Sequence, residues 1–491
     1  MLLNRLDLFV ILLFFFLMII IGLWAWIKNK TIEDYFVAGG KLPWWLSGIS
    51  HHVSGYSGAV FVAYAGLAYT HGFSLYIWWA FTVGIGIVVM ARVFPRLWVR
   101  LRKRYHIQSP LEYLVNRYNI AAQQIMAWSG VILKLFDVAA KWAAIAVLLN
   151  IFTGIPLLYG ILISGGVSLI YVTFGGLWAV ILTDFAQFIV QIVAGLIMFF
   201  AVVFYLGDMG HTIFTFWEML PEHHSQPFTG QYTVGFALIF LLIHGLSYNG
   251  GTWNLATRYI SSPDEGQSSK AAYLSGALYL IWPLFLFLPM WVAPILLPGM
   301  DDPTQSYGLL TLELLPVGLI GLVLASLFAN TMSMTSSDIN TISAVITRDI
   351  LPWLSKKLQK RDISLKIARI TTFSFTVGTI IIASQFEHFG GVLGLIVQWF
   401  GALVGPVAVP MLLGLIPFFG RCGSAAAITS ILLGFATFII TRLVTIDSMA
   451  LSVGLPVIVS SVTYIFMGLL NWNKPVPERV LDLLEAIRIE R

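Results

Sequence analysis

Charge is what this sequence has least of. Only 10% of its 491 residues are Asp, Glu, Lys or Arg, against about 25% in ordinary soluble domains. Hydrophobic residues make up 58%, and the mean hydropathy is +0.86. That balance excludes a soluble globular domain and describes a polytopic membrane protein. Cysteine is nearly absent. Cys422 stands alone, which excludes an internal disulfide and any multi-cysteine metal site. No nucleophile–base or metal-ligand constellation appears, which argues against a membrane-embedded enzyme. The net charge of +5 is spread over loops, so it bears on orientation rather than on nucleic-acid binding. The first apolar run, 7–27, is long enough to span and lacks a small-residue cleavage site. It reads as a helix rather than a cleaved leader.

What is present is apolar length. Thirteen spans are expected: a leading span at 7–27, then spans 1 to 12 at 44–69, 73–94, 121–152, 156–174, 178–206, 234–253, 271–297, 314–346, 365–384, 392–418, 424–444 and 451–470. Several exceed the length needed to cross, which implies tilt or extension beyond the bilayer. Lys28, Lys30 and Lys41 follow the leading span, Arg96, Arg100, Arg102, Lys103 and Arg104 follow span 2, and Arg348, Lys356, Lys357, Lys360 and Arg361 follow span 8. The alternate loops carry acids instead, among them Asp208, Glu218, Glu222, Asp301 and Asp302. The positive-inside rule therefore puts the amino terminus outside and the carboxyl tail in the cytoplasm, in a cell (inner) membrane.

Two spans are interrupted. Ser54-Gly55-Tyr56-Ser57-Gly58 breaks span 1, and Ser247-Tyr248-Asn249-Gly250-Gly251 breaks span 6. Glycine and serine weaken a helix. Backbone freed at membrane depth is tolerated only against protein or a polar cavity. A pair of such breaks in corresponding places points to a secondary transporter's binding site. The competing reading is close helix packing by small residues.

Ionisable groups inside spans are costly and face a partner or a cavity. Asp184 lies in span 5, with Gln187 three residues on. Ser333, Ser336, Ser337 and Asn340 fall at i, i+3, i+4 and i+7 of span 8, with Asn330 one turn back. That spacing defines one helical face. Hydroxyl and amide oxygens with one carboxylate suit a small hard cation and not a soft metal. Asp184 is either an ion ligand or a structural acid bonded to hydroxyls. Asp338 lies beside this face and points elsewhere, towards the cytoplasmic end. In span 3, Asp137 can reach both Lys134 and Lys141, a self-neutralising cluster. His51-His52 points to two faces and reads as polar packing. Trp78-Trp79 lines a solute pocket or faces lipid.

Several stretches resemble the sodium:solute symporter family. Asp34-Tyr35-Phe36-Val37-Ala38-Gly39-Gly40 with Leu42-Pro43-Trp44-Trp45, Pro110-Leu111-Glu112-Tyr113-Leu114 with Arg117-Tyr118, and Arg258-Tyr259 are similar to the family's patterns. The most specific runs from Tyr171 to Gln187 and contains Gly175-Gly176, Ala179 and Thr183-Asp184. The resemblance covers the chain from the leading span through span 10. It implies an all-α, LeuT-type inverted repeat of 5+5 helices. The divisions would be 1–43 leading helix and cytoplasmic loop, 44–207 first repeat, 208–233 extracellular loop, 234–418 second repeat, 419–472 two peripheral helices and 473–491 cytoplasmic tail.

The resemblance also implies ligands. One sodium ion would lie between the span 1 break and span 8, at positions that fall on Val53, Tyr56, Asn330, Ser333 and Met334. Carbonyls there do not depend on residue type, but the Met334 thioether cannot replace a hydroxyl around a hard cation. A further sodium ion would use Asp184, Ser333, Ser336 and Ser337, all chemically intact. For the solute, Tyr248 and Gln398 match the sugar-carrying relatives, while Tyr279 stands at a lysine position and Trp79 at an acid position. The arginine that grips a carboxylate in sialic-acid relatives falls on Asp137, a charge reversal. Ser57, in the first break, joins this set.

The resulting expectation is a sodium-driven importer of a small polar solute, with a sugar first. The solute pocket would comprise Ser57, Trp79, Asp137, Tyr248, Tyr279 and Gln398. An importer of an organic acid, sugar acid or amino acid is the alternative, and a sensor or channel on the same scaffold is the alternative of another class. Sodium, a small-molecule solute and the lipid bilayer are the expected partners, and no nucleic acid is. No sequence feature sets an oligomeric state.

Overall fold

A computed structural model describes residues 3–355, 365–385, 388, 405–444, 446 and 448–488. These residues are helical, and no strand occurs among them; the one β-bridge, Thr229 to Tyr232, lies in a loop. The principal helices, numbered here and leaving out short turns, are α1 (Arg5–Trp26), α2 (Trp44–Val53), α3 (Ala63–His71), α4 (Thr82–Met90), α5 (Phe94–Tyr105), α6 (Ile120–Thr153), α7 (Leu157–Asp208) and α8 (Val234–Leu246). They continue as α9 (Trp253–Ile260), α10 (Glu265–Leu296), α11 (Ser306–Leu314), α12 (Leu319–Val345), α13 (Leu365–Ala383), α14 (Ser424–Leu443), α15 (Met449–Leu470) and α16 (Glu478–Ala486).

Eight helices among the described residues are long and apolar enough to cross a membrane, or nine if one bent pair counts as a span. Part of the difference from thirteen has physical causes, while α6, the counterpart of span 3, is not among the eight. The first break splits span 1 into α2 and α3, each too short to cross alone. Spans 4 and 5 run together as the 52-residue α7, turned at Gly176. Nearly half of span 10, at 392–404, lies outside the described residues.

The Gly176 corner explains one of the sequence patterns. Its φ of 51° and ψ of −147° form a conformation open only to glycine, and a Cβ there would lie 2.5 Å from Tyr35. The Tyr35 hydroxyl donates to the carbonyl of Thr173 at 3.0 Å, within the same corner. Two separate sequence patterns, around Tyr35 and around Gly176, thus meet at one contact. At the other end of the bundle, Asp7 of α1 accepts from the amides of Gly318 and Gly321 at 2.7 and 2.8 Å. A carboxylate suits the N-terminus of α12, where backbone donors lack helical partners.

α12 is the most enclosed of the long helices, and it packs against α1, α6, α7, α9 and α2. α2 lies along α10, α4 packs on α8 and α10, and α6 packs on α7 and α13. α14 and α15 pair with each other, joined at Ser430 and Ser460. The polar residues of the interior collect where α2, α7, α9 and α12 converge.

Candidate functional site at the paired helix breaks

The two interruptions brace each other. After Val53 the chain leaves α2, turns at Ser54-Gly55 and resumes as a short turn at Gly58–Phe61. The carbonyls freed by the turn are taken by side chains from elsewhere. Tyr279 donates to His52 O at 2.8 Å, Asn254 to Ser54 O at 3.2 Å and Tyr248 to Gly55 O at 2.8 Å. Gly55 is needed here, because a Cβ on it would lie 1.8 Å from the Tyr279 hydroxyl. The second break, Ser247–Gly251, turns at Gly250 with φ 124°. Its Tyr248 carbonyl meets His51 Nε2 at 3.0 Å, and its Asn249 carbonyl accepts from Trp98 Nε1 at 3.0 Å. His51 and His52 therefore do serve polar packing: His52 Nε2 meets the Tyr56 hydroxyl at 3.0 Å.

Around this junction the aromatic residues form a cage. The Tyr279 ring lies 5.3 Å from Tyr248, 6.0 Å from Tyr56 and 6.0 Å from Trp79, all near edge-on. Ser57 is buried beside them in the break. Trp79 joins the cage, whereas Trp78 stacks on Tyr232 towards the 209–233 loop. Gln398 lies outside the described residues.

Asp184 sits at the next level, wholly buried. Its Oδ1 accepts from Ser333 Oγ at 2.6 Å, and its Oδ2 from Ser50 Oγ at 2.5 Å and Ser54 Oγ at 3.2 Å. Ser337 Oγ meets Ser54 Oγ at 2.8 Å. Ser336 donates to Ser333 O at 3.1 Å and meets the Tyr171 side chain rather than Asp184. Val53, Tyr56, Asn330 and Met334 are buried around the same break.

One participant was missed by the sequence reading. Arg258 of α9 is fully buried, and its Nη2 lies 3.2 Å from Asp184 Oδ2. The same nitrogen donates to Ser54 Oγ and Ser337 Oγ, while Nε donates to Ser50 Oγ at 3.0 Å. A guanidinium thus occupies the oxygen cradle formed by α2, α7 and α12. The available signal was a lone arginine next to an interrupted span, since a buried cation needs a named partner.

Asp137 is not aimed at a free ligand. Lys134 and Lys141 donate to its Oδ2 at 3.0 and 2.6 Å, and to the two oxygens of Asp338 at 2.7 Å each. Asp338 does point off the serine face, and onto α6. The self-neutralising cluster has four members, two of each sign.

The family pattern of sodium:solute symporters matches residues 35–434. The chain belongs to the sodium:solute symporter family. It is 24% identical over 444 residues to the sodium/sialic acid symporter SiaT of Proteus mirabilis, covering 87% of each chain. It is also 26% identical over 375 residues to the sodium/glucose cotransporter of Vibrio parahaemolyticus, covering 68% of this chain and 66% of that one. Its fold superposes on the substrate-bound, outward-open structure of a sodium-coupled sialic acid symporter with TM-score 0.83 and 21% identity, over 96% and 98% of the two chains. A nucleobase–cation symport family transporter in a closed conformation follows at TM-score 0.58 and 15% identity, over 92% and 98%. The protein is an integral membrane transporter coupled to sodium, with a small-molecule solute, and not an enzyme.

Proposed function

We propose that this symporter imports a small, neutral, hydroxyl-rich solute, a sugar or polyol, down the sodium gradient. The observation that carries this reading is the junction of the two breaks. There an aromatic cage of Tyr56, Trp79, Tyr248 and Tyr279 adjoins the buried Asp184–serine cradle. Aromatic faces with a few hydroxyl and amide groups suit a polar, uncharged ring. Ser57 and Gln398 complete the proposed solute set.

Sodium is assigned to Asp184 with Ser333 and Ser337, with Ser336 joining once its hydroxyl turns from Ser333 O, and more weakly to the first break, through Val53, Tyr56, Asn330 and Ser333. At Asp184 an incoming cation takes over the neutralising role of Arg258. That exchange keeps Asp184 neutralised, and it requires Arg258 to leave the cradle with α9 for another partner or for water, because an unpaired buried charge costs about 3–5 kcal/mol. Arg258 and Ser50 belong to α9 and α2, while Asp184 and Ser337 belong to α7 and α12. Sodium binding at the cradle therefore loosens a contact between the group of α2–α5 with α8–α10 and the remaining core. These groups correspond to the moving bundle and the scaffold of the two proposed repeats, 44–207 and 234–418. Coupling follows by linkage: an ion that favours one arrangement raises solute affinity, and the solute raises ion affinity equally. The amino terminus faces outside and the tail faces the cytoplasm.

The similarity to sialic-acid symporters favours a second reading, a sugar acid as cargo. Sodium-gradient-driven uptake into proteoliposomes, run over neutral hexoses, polyols, sugar acids and amino acids, separates the two. Uptake that ignores the sodium gradient for every solute would overturn the importer reading.

A further inference from the structure

Outward of Asp184, α7 and α12 present two facing polar stripes in otherwise apolar surroundings. On α7 these are Asp184, Gln187 and Gln191, spaced by three and four residues, and on α12 Ser326, Asn330, Ser333 and Ser337, spaced by four, three and four. Each spacing keeps one helical face. The stripes end in a narrow cleft lined by Tyr56, Gln191, Trp282, Tyr307, Ser326 and Asn330. Gly195 shapes its wall, since a Cβ there would lie 2.6 Å from the Trp282 ring. Phe61 and Tyr307, with ring centroids 5.0 Å apart, also line it.

Gln191 and Asn330 are 3% and 2% exposed. Yet neither the oxygen nor the nitrogen of the Gln191 amide has a hydrogen-bond partner, and the Asn330 Oδ1 has none either. Each unsatisfied buried polar group costs about 1–3 kcal/mol, and native interiors keep few without a reason. The Asn330 nitrogen is fixed on Ser326 O at 2.9 Å, which leaves its oxygen as the group on offer. Gln191 is held by nothing, so its oxygen can turn to a ligand. Neutral amide oxygens are hard ligands, suited to an alkali or alkaline-earth cation. Size decides between ion and solute. The cleft is too narrow for a hydroxylated organic ring, whereas a bare ion with oxygens at about 2.4 Å takes little room.

We propose that Gln191 Oε1, Asn330 Oδ1 and Ser326 Oγ form an outer sodium site, from which the ion passes along the α7–α12 seam to Asp184. This site uses the Asn330 side-chain oxygen, and so differs from the first-break site, where Asn330 can offer its main-chain carbonyl. The proposal rests on the reading of Asp184 as the inner ligand.

The test is the sodium activation curve of uptake at saturating solute, with sodium-induced thermal stabilisation of the solute-free protein as a second readout. Gln191→Leu, which keeps the bulk without the oxygen, should raise the half-saturating sodium concentration about tenfold, the cost of one ligand to a cation. It should reduce the stabilisation by sodium and leave the solute KM at saturating sodium unchanged. Gln191→Glu should lower the half-saturating concentration, and serves where the leucine variant fails to fold. Superposed sodium curves for Gln191→Leu and the parent would overturn the outer site. A raised solute KM with an unchanged sodium curve would do so too, by giving the cleft to the solute. The inner reading fails separately, if Asp184→Asn keeps its full sodium dependence.

Discussion

Arg258 Nη2 and Asp184 Oδ2 lie 3.2 Å apart with both side chains wholly excluded from solvent. The pair joins a helix after the second break to one facing the first. Four serines, at 50, 54, 333 and 337, surround it and supply neutral oxygens to both charges. Such a pair contributes little net stability, because desolvation offsets attraction, but removing one partner is expensive. The cradle can therefore hold the guanidinium or, once Arg258 has left it, a bound ion, and is costly when Asp184 faces neither.

Replacing Arg258 with alanine tests this exchange. Without sodium, Arg258→Ala should be destabilised by about 3–5 kcal/mol through the unpaired Asp184 carboxylate. Sodium should restore part of that loss. Thermal melts in sodium and in choline chloride will therefore differ more for the variant than for the parent, and the variant's apparent sodium affinity will rise while turnover falls. Equal sodium shifts in both proteins would show that the ion does not share the cradle with Arg258.

The four-charge group between α6 and α12 should behave as one unit. Asp338→Asn leaves two ammonium groups facing one carboxylate, and Lys141→Met leaves two carboxylates facing one ammonium. Each single change should cost about 3–5 kcal/mol, whereas the double variant should cost far less than their sum. Melting temperatures or denaturant midpoints of the four proteins in the cycle measure the coupling. Additive losses would mean that the groups do not share charge.

How much of this was legible in the sequence depended on range. Breaks encoded by Gly and Ser clusters were readable, because the local backbone itself carries the signal. Gly176 was readable as part of a pattern, although its reason, the Tyr35 ring against it, lies 141 positions away. The Asp137 cluster was visible at i−3 and i+4, yet its fourth member was not, since Asp338 reaches it from another helix. Arg258 was noted only as part of a motif. Its partner at 184 is a tertiary contact that helical spacing cannot supply. Gln187 and Gln191 share a face with Asp184, but an amide on a long apolar helix gives no sign that its cleft leaves it unpartnered. The structure yields fewer single helices of crossing length, in part because span 1 is broken in two and spans 4 and 5 are continuous through Gly176.

Met334 is buried on α12 beside Ser333, at the position where the resemblance places a hydroxyl ligand. A thioether is a poor partner for a hard cation. Met334→Ser should therefore raise the apparent sodium affinity, by about three- to tenfold for one added oxygen. Sodium activation of uptake measures it. An unchanged or lower affinity in the folded variant would show that another group already fills the place.

The last prediction concerns the charge of the solute. Both ammonium groups of α6 are engaged by carboxylates: Lys134 and Lys141 each lie within 3.0 Å of Asp137 and 2.7 Å of Asp338. The four formal charges cancel. An incoming carboxylate would have to draw a lysine away from one of the two acids and leave that acid unpaired in a buried site, at about 3–5 kcal/mol. A neutral hydroxylated ring meets no such cost against Tyr248, Tyr279 and Trp79. Neutral hexoses or polyols should therefore compete for uptake, and sialic acid should compete at least about tenfold less well. Asp338→Asn should narrow that gap, because it removes one of the two acids that hold Lys141. The competition series decides the matter. Strong inhibition by sugar acids with none by neutral hexoses would mean that Lys141 leaves its carboxylates to receive the cargo, and that the cluster is the solute's anchor rather than its electrostatic screen.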